Sequence, residues 1–181
     1  MMRSVMVSGG LAAFLLSAPG IAAEQGEFKA RLDGFFEVGA LNAETGAIFT
    51  NGTGSLTLTI NGNSASYRLS FSGLTSNVTQ AHLHFGKVHV PGGIYAFLCT
   101  NLTPPAGVPT PPACPAAGGT VTGTLTAANI LAVPGQHIPA GDFGVLLAGV
   151  GSNTTYANVH TVSFPAGEIR GQVRRSDEDD D

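Results

Sequence analysis

Downstream of the first 23 residues, hydrophobic side chains return at every second position, the period of a strand with one buried face. Phe28, Ala30 and Leu32 alternate with Lys29 and Arg31. Leu56, Leu58 and Ile60 alternate with Thr57 and Thr59, and after the hairpin-turn pair Asn61-Gly62 the alternation resumes at Ala65, Tyr67, Leu69 and Phe71. Further strands are expected at Val78–Phe85, Ile94–Leu98, Thr120–Leu125, Thr155–Thr161 and Glu168–Arg174. Helical spacing is confined to Thr126–Ile130 and Asp142–Leu147, with Asp142 placed to cap the second. Many short strands separated by Gly and Asn turns predict an all-β domain. The expected architecture is an antiparallel, Greek-key-like β-sandwich or barrel with one short helical crossover.

The same alternation sorts the polar residues by face, because successive side chains of a strand point to opposite sides. In Gln80–Phe85 the apolar set Ala81, Leu83 and Phe85 takes the core side, which leaves Gln80, His82 and His84 together on the other. In Tyr156–Thr161, Ala157 and Val159 point inward and Tyr156, Asn158 and His160 outward. Ile169, Gly171 and Val173 likewise leave Glu168, Arg170 and Gln172 outside. If these three strands are neighbours, their outer faces merge into one polar surface.

Residues two apart on one strand face lie about 6 to 7 Å apart, a spacing from which His82 and His84 can turn toward one ion. His160 then supplies a third imidazole. Neutral imidazole suits zinc and copper, and three nitrogens with a vacant fourth position mark a surface site open to water or substrate. In this reading Asn158 and Glu168 fix the imidazole tautomers and Arg170 attracts an anionic substrate. His89 is a further candidate ligand from the next loop, whereas His137 lies in a Pro/Gly loop and is set aside. The plainer alternative is that the histidines order loops or pair with a carboxylate such as Glu168.

The chain ends and composition bear on location. Arg3, the apolar run Val5–Leu16 and the small residues ending at Ala22-Ala23 read as a secretory signal peptide over residues 1–23. The apolar run is broken by Ser8-Gly9-Gly10 and is shorter than the roughly 20 residues of a spanning helix, and no second such run follows. A secreted or periplasmic β domain is therefore expected over residues 24–175, followed by an acidic, disordered tail at 176–181. The net charge is −4 and five of the twelve acids are Asp177–Asp181, so there is no basic stripe for nucleic acid. The two cysteines, Cys99 and Cys114, flank a Pro-rich segment. In an oxidising compartment they are expected to close a disulfide worth about 3 kcal/mol. No Gly-x-Ser-x-Gly elbow, phosphate-binding glycine loop or His-Glu-x-x-His helix is present, which leans the reading away from an enzyme.

Five segments, in order, carry a resemblance to a known family. Phe28–Val38 (FKARLDGFFEV), Ala81–Gly86 (AHLHFG), Gly93–Asn101 (GIYAFLCTN), Gly119–Leu125 (GTVTGTL) and Tyr156–Val173 (YANVHTVSFPAGEIRGQV) resemble a CHRD domain, the module repeated in chordin. Where bacterial members typically read EVP after the first strand, this chain has Glu37-Val38-Gly39, and the turn there is expected to differ. The resemblance implies an extracellular, non-enzymatic β module that binds an extracytoplasmic ligand or protein. It places His82, His84, His160, Glu168 and Arg170 at motif positions without making them ligands. A fainter likeness of His82-Leu83-His84-Phe85-Gly86 to copper-zinc superoxide dismutase adds a redox-active copper or zinc protein as the alternative, although no bridging histidine or zinc loop can be assigned. A third reading is glycan or matrix attachment through the Pro-rich, disulfide-closed loop.

Overall fold

The alternating apolar positions form nine strands in a computed structural model that describes residues 26–38 and 46–176. They are β1 (Gly26–Asp33), β2 (Thr53–Asn61), β3 (Ser64–Ser72), β4 (Val78–Phe85), β5 (Gly93–Thr100), β6 (Gly119–Leu125), β7 (Thr155–Thr161), β8 (Ile169–Gln172) and β9 (Arg174–Arg175). The expected signal segment and the acids Asp177–Asp181 lie outside the described residues.

The strands pair antiparallel in the order β5-β4-β7-β8-β1-β2-β3-β6, with β9 added to β1. The outer strands β5 and β6 approach each other, so the sheet curls into a nearly closed barrel. The all-β expectation therefore holds, with the barrel form of it. The helical crossover is two 3-10 turns, Ala127–Asn129 and Pro134–Gln136, and one helix, α1 (Gly144–Gly151), whose Leu146 and Val150 join the core. Asp142 Oδ1 accepts the Gly144 N–H at 2.9 Å, although Phe143 occupies the cap position itself.

On β1, β2 and β3 the period-two pattern separates core from solvent. Phe28, Ala30, Leu32, Leu56, Leu58, Ile60, Tyr67, Leu69 and Phe71 line the interior, where Ala81, Leu83, Val159 and Ile169 meet them. The hairpin between β2 and β3 turns on Gly62-Asn63, one residue later than expected. Gly62, with φ 58°, supplies the positive φ that this first loop position needs. Gly171 allows β8 to lie close against β1, since a Cβ there would strike the Arg31 carbonyl. The disulfide joins Cys99 of β5 to Cys114 with the Cα atoms 5.1 Å apart, and Asn101 fastens the same loop by hydrogen bonds to the Val78 and Cys114 carbonyls and from the Cys114 N–H.

The other wall behaves differently. Every residue of β7 is buried, as are His82 and His84 of β4 and Arg170 of β8, so the polar outer face expected at the surface is covered. The segments between strands fold over it. Arg170 Nη2 donates to the Lys87 and Val90 carbonyls, and Gly92 N–H donates to the Tyr156 hydroxyl. Glu168 accepts hydrogen bonds from the Thr50, Thr75 and Thr161 hydroxyls and from the Thr75 N–H. The molecule thus has two interiors, an apolar one inside the barrel and a polar one between the barrel wall and its loops.

Candidate metal centre

Strand register assembles the polar interior. Across β4 and β7, Gln80 lies opposite His160, His82 opposite Asn158 and His84 opposite Tyr156, while across β7 and β8 Asn158 lies opposite Arg170. The shared face inferred from alternation is therefore real. Its exposure is not: His82 is 0%, His160 6% and His84 7% exposed. The surface site open to substrate is corrected to an enclosed cluster, because the loops that hydrogen-bond to this face also shield it.

One ring nitrogen from each of His82, His84 and His160 lies within 4.8 Å of the others. In a tetrahedral site, zinc–nitrogen bonds of about 2.0–2.1 Å set two ligand atoms roughly 3.4 Å apart, so loading a metal draws the widest pair together by about 1.4 Å.

The hydrogen bonds fix the tautomers. His84 Nδ1 is 2.9 Å from the Gly92 carbonyl and His160 Nδ1 is 3.0 Å from the Pro165 carbonyl. A carbonyl only accepts, so in the neutral rings the proton sits on Nδ1 and the Nε2 lone pairs are bare. Both Nε2 atoms then face one atom, Asn158 Oδ1, at 3.0 Å each. The other end of that amide faces the buried Glu37 carboxyl and favours its charged form, without completing a hydrogen bond of good geometry to Oε2. The Asn158 amide thus bridges the two rings, and the end that faces them decides the contact: its oxygen meets two bare lone pairs, whereas its NH2 group would donate to both.

Protonating the rings is opposed by their setting. Burial, with the neighbouring histidines, pushes His82 down to about 2, and burial pushes His84 down to about 4 and lowers His160 as well. His82 packs edge-on to Phe97 with ring centroids 4.3 Å apart, and neither of its ring nitrogens has a hydrogen-bond partner. His84 stacks on Tyr156 at 4.6 Å, and the Arg170 guanidinium lies 3.4 Å from the centre of the same Tyr156 ring.

Other expected roles change. Glu168 accepts hydrogen bonds from threonine hydroxyls and a backbone N–H and, among the described residues, from no imidazole, so it holds the roof and does not fix a tautomer. The tautomers of His84 and His160 are set by backbone carbonyls instead. Arg170, 1% exposed, braces the 87–90 loop. His89 is exposed with φ 59°, beside Phe36 and away from the cluster. Asn158 moves from supporting residue to candidate ligand. Glu37, 3% exposed with Oε2 lacking a partner, joins the centre from the turn after β1. Its burial raises its pKa. No spacing in the sequence links it to the histidines.

A family model described as CHRD domain matches residues 28–173, which include every member of this cluster. Comparison with curated proteins and with solved structures finds no match.

Proposed function

The chain belongs to the CHRD domain family, and we propose that this member is an exported module built around a buried transition-metal centre, zinc or copper, held by His82, His84, His160 and Asn158. The observation that carries the reading is the convergence of three buried imidazoles, one ring nitrogen of each lying within 4.8 Å of the others, around the Asn158 amide. A cation would be held by the ring nitrogens with the Asn158 oxygen turned toward it, and a donor set of neutral nitrogens with one oxygen suits zinc or copper better than calcium or magnesium. His82, apolar in its surroundings and unsatisfied, gains a partner only when it too binds the ion. Glu37 lies close by, its buried carboxyl facing the far end of the Asn158 amide.

Enclosure argues for binding and structural support over turnover. Asn158 occupies the fourth position and the loops deny a substrate entry, so the metal would tie β4 to β7. Export is supported by the N-terminal signal pattern and by the disulfide, which suits an oxidising compartment. No helix among the described residues is long and apolar enough to cross a membrane.

The test is calorimetric titration of the metal-free domain with Zn²⁺ and Cu²⁺. One ion per chain is expected, with binding abolished in the His84→Ala, His160→Ala double variant. A folded wild-type domain that takes up neither ion would leave a purely protein-built binding module as the correct reading.

A further inference from the structure

We propose that a second site, a cavity of about 430 Å³ on the outer side of β1, β8 and β9, binds a small amphiphilic anion: a carboxylate or sulfonate joined to an apolar group. None of the three imidazoles lines the site, although Arg170 connects it to them through the Tyr156 ring on which His84 stacks, and the site does not depend on a metal.

The charge distribution comes first. Lys29, Arg31, Arg170 and Arg174 line the cavity, four of the eight Lys and Arg residues in a chain whose net charge is −4. No carboxylate of the described residues lines it. Lys29 is paired with Glu27 at 2.9 Å, but Arg31 and Arg174 have no ion pair or hydrogen bond among the described residues. Register makes this arrangement unfavourable by itself. Lys29 lies directly opposite Arg174, and Arg31 follows two residues along the same face. Like charges placed across an antiparallel pair destabilise it unless an anion lies between them.

A second observation lies deeper. Arg170, which lines the cavity, is 1% exposed, and its Nη1 is buried without a hydrogen-bond partner. Guanidinium groups grip carboxylate or sulfonate oxygens in pairs, which is the chemistry that these arginines offer.

The apolar half of the ligand is read from the rim. Phe36 and Val88, each 43% exposed, stand on the cavity wall beside the cations. Exposed aromatic and aliphatic side chains next to paired arginines fit a ligand that carries its charge at one end. A concave site takes a discrete group, where a flat anionic surface would not reach Arg170.

The probe is 1-naphthoate, titrated calorimetrically into the purified protein, with 1-naphthalenemethanol as the neutral analogue and sodium sulfate as the bare anion. One naphthoate per chain is expected, weakened at least about tenfold in the Arg31→Ala, Arg174→Ala double variant and at least about tenfold weaker for the neutral analogue. Because Arg31 and Arg174 are exposed, the double variant should keep the wild-type unfolding curve. Phe36→Ala should weaken naphthoate while leaving sulfate unchanged. Naphthoate affinity unaltered by loss of both arginines, or sulfate binding as tightly as naphthoate, overturns the proposal.

Discussion

His82→Leu separates a metal ligand from a packing residue. In the metal-free protein the His82 ring is fully buried, edge-on to Phe97, and both nitrogens lack partners. A buried polar group left unsatisfied costs about 1–3 kcal/mol, and a leucine of similar volume removes that cost. The variant should therefore be more stable than wild type in the presence of a chelator, by about 2 kcal/mol. For a domain of this size that corresponds to a rise in Tm of roughly 4–8 °C. With zinc at about a thousand times its Kd, wild type gains about 4 kcal/mol and overtakes the variant, which gains nothing. Thermal unfolding followed by circular dichroism, with chelator and with zinc, reads both comparisons. A variant less stable than wild type by more than about 1 kcal/mol in chelator, or one still stabilised by zinc, would make His82 a packing residue and not a ligand.

Other consequences follow from neighbouring contacts. Glu37→Gln removes the carboxyl that faces the Asn158 amide and should weaken zinc binding about tenfold in calorimetry while leaving the circular dichroism spectrum unchanged. Replacing Cys99 and Cys114 together by alanine, which frees a loop with a sequence separation of 15, should lower stability in urea by about 3 kcal/mol without loss of metal binding. At alkaline pH, burial pushes Tyr67 up to about 12 and raises Tyr95 further, so the unfolded chain ionises first. Stability should be intact below pH 10 and fall as pH rises toward 12; with no Trp in the chain, absorbance at 295 nm should rise together with unfolding, and a normal phenol titration near 10 by folded protein would contradict this.

Period-two alternation carried most of the fold. It located β4 and β7 at their observed bounds and put His82, His84, Asn158 and His160 on one face, because parity is a local property of a strand. Whether loops cover that face is not local, and the surface reading failed there. A signal was present: the outward positions of β1 and β3 carry Lys29, Arg31 and Arg68, whereas those of β4 and β7 hold only uncharged residues and histidine. Glu168 misled for the same reason. Its partners Thr50 and Thr75 lie 118 and 93 residues away, beyond any pattern that spacing can reveal. Glu37 reaches the centre from the far side of the β1–β8 contact, a juxtaposition that exists only once the barrel has formed.

X-ray absorption at the zinc edge tests the metal centre most directly. For protein loaded with one equivalent of zinc, the account predicts a first shell of nitrogen and oxygen at about 2.0–2.1 Å with the outer-shell scattering of three imidazoles. Fewer than two imidazoles, or a shell of water and carboxylate oxygens alone, would contradict it.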